Sequence, residues 1–145
     1  MANSNLALLQ AYVGHSMSEG PAAVTRWLGG TLTQAEYGEA SAEFEVRKEM
    51  TNGAKILHGG IMTTMIDEVM GLAFYTLGSD YFYPTLNINV DFLAAAQIGD
   101  KVFVKADVIK HGRTIINLES KVHNAEGKLL AKASSNIARS NIKMK

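Results

Sequence analysis

Two features between residues 52 and 77 could do chemistry: a glycine pair, Gly59-Gly60, and a carboxylate, Asp67. The run after the glycines has apolar residues around most of its circumference when it is drawn as a helix, which indicates a buried helix. A carboxylate on a buried helix is costly unless it has a partner or a task. Asp67 is therefore the first candidate for a catalytic residue.

A narrow stripe of polar or small residues shares the helix face of Asp67, because its members recur three and four positions apart. These residues are Thr63, Thr64, Glu68, Gly71 and Tyr75. We expect Glu68 to be an ordinary solvated residue at the edge of this stripe, and Asp67 to be functional.

The start of the same helix offers a second chemical group. A helix that begins at Gly59 presents unpaired backbone N–H groups and the positive end of its dipole. The glycines Gly59 and Gly60 let a ligand approach that backbone closely. An acyl carbonyl is a suitable ligand, because its oxygen becomes negative when a nucleophile adds. The alternative is that the two glycines only permit a tight entry into the helix.

Spacing relates the two groups. Asp67 lies eight residues after Gly59, which is about 12 Å along one helix, so the two cannot serve one carbonyl within one chain. A second copy of the helix, antiparallel across a two-fold axis, would bring Asp67 of one chain to Gly59 of the other. Isologous dimers are the commonest oligomers. This spacing predicts two composite sites in each dimer.

The elements that position these groups follow from periodicity. A helix is predicted from Asn3 to Met17 with Ser4 as its N-cap, and a second from Pro21 to Gly29. The central helix is predicted from Gly59 to a stop before Gly78. Strands with a period of two are predicted at 31–37, 39–47, 82–93, 101–110, 113–124 and 128–139, with a bulge in the fifth and a frayed tail after 139. An antiparallel sheet with a helix on one face is an α+β fold.

Composition excludes several classes of function. The chain has 145 residues, which predicts one domain, and its 14 basic and 14 acidic residues give no net charge. This balance argues against a large nucleic-acid-binding surface. The absence of cysteine excludes a thiolate nucleophile and a disulfide framework. We find no membrane span and no secretory signal, so a cytoplasmic location is expected.

Known catalytic motifs are also absent. The sequence contains no G-x-S-x-G elbow, no phosphate-binding P-loop and no dinucleotide fingerprint. The four histidines are scattered without metal-ligand spacing, so we expect no metal site and no cofactor.

The residues Asn52, His58-Gly59-Gly60, Asp67-Glu68 and Gly71 resemble the hotdog-fold acyl-CoA thioesterases of the PaaI-like type from phenylacetate degradation. The Gly99-Asp100 turn and the turn at 111–114 resemble them as well. The resemblance implies a hotdog fold, in which an antiparallel sheet wraps around the long helix, over a core at 31–140 with a helical lead at 1–30. It also implies a homodimer with a continuous sheet, and a dimer of dimers.

The resemblance further implies roles for single residues in the hydrolysis of an aromatic or medium-chain acyl-CoA. Gly59 would polarise the thioester carbonyl through its N–H, and Asn52 would orient the water or the substrate. Asp67 of the partner chain would act as general base or as nucleophile. Thr85 would help to position the water or Asp67. His58 would buttress the loop by hydrogen bonding, and His58 and Gly60 would belong to the substrate-binding residues.

Coenzyme A would enter as part of the substrate, and its phosphates call for basic residues at the rim of the site. Arg113 is the first candidate and Lys110 the second, although both could be solvated ends of a hairpin. We expect Met62, Met65, Phe74 and the N-terminal helices to shape the acyl pocket, since methionine side chains adapt to different ligands.

Two other functions remain open from the sequence. A hotdog enoyl-CoA hydratase would use an aspartate and histidine pair, which the nine-residue spacing of His58 and Asp67 disfavours. A non-catalytic acyl-CoA-binding protein would not need Asn52, Gly59 and Asp67 together.

Overall fold

The computed structural model describes residues 2–144, which form one antiparallel sheet and three α-helices. The strands are β1 (Thr31–Glu36), β2 (Glu39–Glu45), β3 (Thr85–Phe92), β4 (Lys101–His111), β5 (Ile115–Asn124) and β6 (Leu129–Ala138). The helices are α1 (Ser4–Tyr12), α2 (Ala23–Leu28) and α3 (Gly59–Tyr75), with a short 3-10 helix at Lys48–Met50. None of the helices in this range is long and apolar enough to cross a bilayer.

The six strands lie in the order β1-β2-β4-β5-β6-β3, and every neighbouring pair is antiparallel. Helix α3 packs on one face of this sheet, where Met65, Ile66 and Val69 are fully buried. Inward residues of the strands, such as Val102 and Leu118, form the other half of the core. The predicted α+β arrangement of a sheet around one long helix is therefore confirmed.

Helix α3 begins and ends where its sequence provides caps. His58 is the N-cap, and its Nδ1 accepts a hydrogen bond of 2.9 Å from the Gly60 N–H. Thr76 is the C-cap and is itself buried. The 17 residues between these caps span roughly 26 Å, enough to cross the width of the sheet.

The N-terminal lead differs from the prediction. Helix α1 ends at Tyr12 rather than Met17, and its N-cap is Asn3, whose side chain accepts from the Leu6 N–H, rather than Ser4. The chain turns at Gly14, where φ is +91°, and the Gly14 N–H donates to the Leu32 carbonyl at 2.8 Å. The segment after α1 thereby pairs with the outer edge of β1 instead of continuing the helix.

The C-terminal tail is also ordered differently from the prediction of a frayed end. The Phe82 N–H donates to the Ile142 carbonyl at 2.7 Å, and the Met144 N–H donates to the Asp80 carbonyl at 2.9 Å. Residues 140–144 thus run antiparallel to the segment before β3. Backbone pairing there is available because β6 ends beside that segment. Lys145 lies outside the described residues.

The predicted bulge in the fifth strand is found on its neighbours instead. Where β5 pairs with β4 the extra residue is Ile109 of β4, and where it pairs with β6 the extra residue is Leu130 of β6. The alternation of β5 is imperfect for another reason, since the inward position 120 is a serine. Its hydroxyl donates to the Lys105 carbonyl at 2.7 Å, which satisfies the buried oxygen.

Candidate active site

Asp67 is positioned by α3 and contacted by the first residue of β3. The Thr85 hydroxyl donates to Asp67 Oδ1 at 3.2 Å. Strict alternation would place Thr85 with Asn87 on the face away from the helix. A bulge prevents this: Thr85 pairs with Ile137 and Asn87 with the next residue, Asn136, so the extra residue is Leu86. Thr85 therefore faces the helix and reaches Asp67.

The stripe around Asp67 lies on the open side of α3. Asp67 and Gly71 are both exposed in the single chain, so this carboxylate is not buried as the sequence suggested. A Cβ atom added to Gly71 would have no other atom within 4 Å, so the space beside this glycine is empty in the single chain. Glu68 differs from its expected role, because it is half-buried and accepts a hydrogen bond of 2.5 Å from the Thr25 hydroxyl of α2.

The loop before α3 is shaped by Asn52. Its side-chain Oδ1 accepts from the N–H groups of Ala54 at 2.9 Å and Ile56 at 3.4 Å. The Asn52 N–H also donates to the Ile56 carbonyl at 3.0 Å, which closes the loop. Because Oδ1 is engaged in these bonds, Asn52 has only its NH₂ group to offer a ligand.

The two glycines at the helix start are not equivalent. The Gly60 N–H is bound by His58 Nδ1, so these two predicted substrate-binding residues bond to one another. The Gly59 N–H has no acceptor among residues 2–144. Because His58 Nδ1 accepts this hydrogen bond, its lone pair is already used within the helix cap.

A cavity of about 310 Å³ opens beside the free Gly59 N–H. Asn52, Met62 and Phe92 are among its lining residues, whereas Asp67 is not. Of the methionines and phenylalanine expected at an acyl pocket, only Met62 lines this cavity; Met65 and Phe74 are buried in the core. The structure therefore brings Asn52 and Gly59 together and keeps Asp67 apart within one chain.

Strand β3 relates the two parts of the candidate site. Its first residue, Thr85, contacts Asp67, and its last residue, Phe92, packs against Gly59. The strand pairs only with β6 among the described residues, so its other edge is open. Leu86 is 60% exposed and Phe92 is 53% exposed, which leaves apolar surface at both ends of this open edge.

Arg113 lies at the Thr85 end of the sheet, in a cavity of about 440 Å³ that Arg139 and Tyr81 also line. The Arg139 guanidinium lies 4.2 Å from the centre of the Tyr81 ring, and the Tyr83 hydroxyl donates to the Arg113 carbonyl at 3.0 Å. Within residues 2–144 neither arginine has a carboxylate within 4.0 Å. Lys110, exposed on β4 opposite Asn117, does not line this cavity.

Two of these residues were missed by sequence reasoning. Phe92 lay within the strand predicted at 82–93 without a role of its own, and what distinguishes it is its position at the strand end against Gly59. Arg139 was read as the end of the last strand. Arg113, which lines the same cavity, was predicted from the sequence. The proximity of the two arginines depends on the hydrogen bond of 2.8 Å from the Arg139 N–H to the Thr114 carbonyl.

The pKa shifts of Glu39, Lys105 and Asp107 lie away from this site, on the face of the sheet away from α3. Glu39 and Asp107 are direct cross-strand partners, and Lys105 Nζ lies 3.1 Å from Glu39 and 3.8 Å from Asp107. The hydrogen bond from Lys105 lowers the pKa of Glu39, whereas burial raises the pKa of Asp107. Across residues 2–144 no three acidic or histidine side chains are grouped as metal ligands.

The sequence and the fold of this chain are similar to those of known thioesterases. Human acyl-coenzyme A thioesterase 13 is 29% identical over 102 residues, which cover 70% of this chain and 73% of that protein. The PaaI protein of the E. coli phenylacetic acid degradation operon superposes over 100% of both chains, with a TM-score of 0.85 at 18% identity. A hypothetical thioesterase protein of Streptococcus pneumoniae, solved with coenzyme A, has a TM-score of 0.75 at 22% identity, over 80% of this chain and 89% of its own.

The fold of the E. coli structure confirms the expected hotdog fold and the resemblance to PaaI-type proteins. Residues 54–131 match the family described as the thioesterase superfamily, and they include the Gly59-Gly60 helix start and Asp67. This match covers more than half of the chain, so the protein belongs to the thioesterase superfamily, and the expected class of thioester hydrolase is confirmed.

Proposed function

We propose that this protein hydrolyses aromatic or medium-chain acyl-CoA thioesters to the free acid and CoA, in sites shared by two chains. Asp67 and Thr85 come from one chain, and Gly59 and Asn52 come from its partner. The observation that carries the proposal is the position of these pairs at opposite ends of β3, whose outer edge is open.

The geometry of β3 supports the two-chain arrangement. From Thr85 to Phe92 the strand covers about 23 Å, and its direction is opposite to that of α3. An antiparallel β3–β3 pair sets the Thr85 end of one strand beside the Phe92 end of the partner's strand. Asp67 then lies at the end of β3 where the partner's Gly59 begins its helix. This pairing would also extend the sheet across the dimer; a dimer of dimers remains an expectation from the resemblance.

The proposed reaction uses each group for one task. The thioester oxygen accepts a hydrogen bond from the partner's Gly59 N–H, which stabilises the charge that develops on it. The NH₂ of the partner's Asn52 donates to the substrate or the water. Asp67 either takes a proton from water as that water adds, or itself attacks the carbonyl carbon and is released by water. In both routes the C–S bond breaks and the CoA sulfur leaves with a proton.

The CoA phosphates are assigned to the cavity of Arg113 and Arg139. Guanidinium groups suit phosphate because their planar donors match its oxygens, and both arginines here lack a carboxylate partner in the described chain. The streptococcal relative was solved with coenzyme A, which supports this ligand class. Lys110 lies outside the cavity and becomes the weaker candidate.

Subunit complementation tests the proposal. Asp67→Ala and Asn52→Ala chains are purified separately, and each is expected to lose most CoA release from octanoyl-CoA and phenylacetyl-CoA. The two are then mixed, unfolded and refolded together. Half of the dimers become mixed, and one of the two sites in each mixed dimer is intact, so about a quarter of wild-type activity should return.

No recovery in demonstrated mixed dimers would show that the groups do not act across chains. A wild-type protein that binds acyl-CoA without releasing CoA would favour the binding-protein alternative. Loss of enoyl-CoA absorbance without CoA release would favour a hydratase.

A further inference from the structure

Lys55 has a backbone conformation that its residue type disfavours. Its φ is +62°, and every other residue among 2–144 with φ in this left-handed region is a glycine. The Cβ atom of an L-residue crowds the following carbonyl oxygen in this conformation, which costs free energy that a glycine would not lose. Such outliers persist where the surrounding structure holds them, and they cluster at functional sites. The strain therefore raises the question of what the lysine side chain contributes.

The strain arises in the loop that carries Asn52. The Lys55 N–H donates to the Asn52 carbonyl at 2.9 Å, and the Asn52 N–H donates to the Ile56 carbonyl at 3.0 Å. These two hydrogen bonds reverse the chain between Asn52 and Ile56, and Lys55 takes up the left-handed conformation within that reversal. Asn52 and Ile56 both line the cavity beside Gly59. The strained position thus belongs to the loop that forms part of the candidate site.

The side chain of Lys55 gives this loop its positive charge. Lys55 is exposed, and no carboxylate of residues 2–144 lies within 4.0 Å of its ammonium group. Residues 50–60 contain no acidic residue and no other lysine or arginine. Lys55 lies four residues before Gly59, so their Cα atoms are at most about 14 Å apart. A lysine ammonium is a compact charge with three donors, and phosphate is one of its usual ligands.

We propose that Lys55 binds a phosphate group of the acyl-CoA substrate, from the chain that supplies Gly59 and Asn52. This inference rests on the proposed function, in which the cavity of Arg113 and Arg139 belongs to the other chain of the pair. The phosphates of one CoA would then lie between cations of two subunits. CoA carries them at the far end of its pantetheine arm, and Lys55 lies at the tip of its loop, away from the helix start. A negatively charged ligand explains why a lysine occupies a position that a glycine or an asparagine would adopt with less strain.

Charge and strain can be separated by substitution at this position. Lys55→Asn removes the charge and adopts the left-handed conformation readily, so its urea midpoint should equal or exceed that of the wild type. Its KM for octanoyl-CoA should rise about three- to fivefold with kcat within about twofold, as expected for an exposed charge pair. Lys55→Arg keeps the charge and should retain the wild-type KM. Lys121→Gln removes an exposed lysine on the face of the sheet away from α3, and as the control it should leave KM unchanged.

Shortened substrates identify the group that Lys55 contacts. With octanoyl-pantetheine, which lacks the phosphates, Lys55→Asn and the wild type should have equal KM values. Octanoyl-3′-dephospho-CoA assigns the contact to the 3′-phosphate if the effect of Lys55→Asn disappears, and to the diphosphate if it persists. The Kd of CoA itself, measured by calorimetry, should rise by the same factor as KM and does not depend on turnover.

Three results would overturn the proposed contact. The first is an unchanged KM and Kd in Lys55→Asn. The second is an equal rise of KM with octanoyl-pantetheine, which would assign the effect to the shape of the loop. The third is a dimer that dissociates in Lys55→Asn but not in the wild type, which would mean that the lysine pairs with a carboxylate of the partner chain. A wild type that binds CoA through Lys55 but hydrolyses no acyl-CoA would instead refute the proposed function and leave this contact intact.

Discussion

The hydroxyl of Thr85 and the carboxylate of Asp67 are joined by a hydrogen bond of 3.2 Å, although strand alternation would have pointed them apart. The bulge at Leu86 makes this contact possible. Oδ1 of Asp67 is the atom engaged, and Oδ2 accepts no hydrogen bond from residues 2–144. One carboxylate oxygen is therefore held in place while the other remains available to water or substrate.

The first prediction concerns this hydrogen bond. Thr85→Val keeps the shape of the side chain and removes the donor, and it should lower kcat about tenfold. Hydrogen bonds to charged groups contribute about 1.5–3 kcal/mol, and the exposure of this one puts it at the lower end of that range. Thr85→Ser should keep most of the activity. Steady-state CoA release with octanoyl-CoA measures both. Equal losses in Thr85→Ser and Thr85→Val would mean that the methyl group, not the hydroxyl, is the important contact.

A second prediction concerns the arginine cavity. Arg113→Ala and Arg139→Ala should each raise KM for acyl-CoA a few-fold, since exposed charge pairs contribute up to about 1 kcal/mol, and should leave kcat nearly unchanged. The effect should weaken at high salt and with an acyl-pantetheine substrate that lacks the phosphates. Lys110→Ala is the matched control and should change KM less than either arginine variant. A larger effect at Lys110 would place the phosphates on β4 instead.

Gly71 provides a third prediction, because its side of α3 is empty in the single chain. Alanine fits there and is the better helix former, so Gly71→Ala should raise the free energy of unfolding by about 0.5–1 kcal/mol. Gly71→Leu should fold but lose about tenfold or more in turnover, because Gly71 lies one turn from Asp67 on the face assigned to substrate and partner. Urea unfolding at one protein concentration and CoA release are the measurements. Full activity in Gly71→Leu would show that this space is unused.

The acidic pair on the far face of the sheet provides a fourth prediction. Burial raises the pKa of Asp107 above its ordinary 3.8, so ionisation of Asp107 opposes folding once the pH exceeds that value. Asp107→Asn should raise the free energy of unfolding at pH 7 by less than about 1 kcal/mol, since the side chain is 39% exposed. The gain should disappear below pH 3.8, where the carboxyl is protonated in both states.

Glu39→Gln serves as the opposite control for that experiment. The pKa of Glu39 is lowered by Lys105, so the stability that its charge provides is present above 4.5 and lost as the pH falls. This variant should be less stable than wild type at pH 7 and equal to it in acid. Urea unfolding at pH 3.5, 5 and 7 distinguishes the two signs. Destabilisation by Asp107→Asn at pH 7 would mean that its contact with Lys105 outweighs its burial.

The elements that the sequence predicted well are those with strong local signals. Helix α3 begins at the glycine pair after His58, as expected, because the cap and the change of period are both local. The strand positions agree to within a few residues for the same reason. The tail after 139 was misjudged, since backbone groups there bond to residues 80–82, and no local pattern indicates a partner some sixty positions away.

The candidate site was harder to predict than the fold, because its parts depend on departures from regular geometry. Asp67 and Gly59 stand out by residue type. The face of the sheet on which Thr85 lies cannot be predicted from residue type, since a bulge reverses it. The packing of Phe92 on Gly59 and the approach of Arg139 to the turn at Arg113 require the completed sheet. Such contacts join residues that are distant along the chain, which periodicity alone cannot relate.

The two margins of the sheet are unlike each other, and this has a consequence for how copies of the chain assemble. Outside β1, the Gly14 N–H and the His15 carbonyl bond to Leu32, and the Gln10 side chain bonds to the Ala35 carbonyl. The β3 margin has no such cover in the described chain. If two molecules pair along β3, the unpaired edge of each becomes hydrogen-bonded. The two edges that remain are the β1 edges, which are already covered. Growth of the sheet by edge pairing would stop at two chains, so a sheet that pairs with a second copy need not polymerise into a fibre.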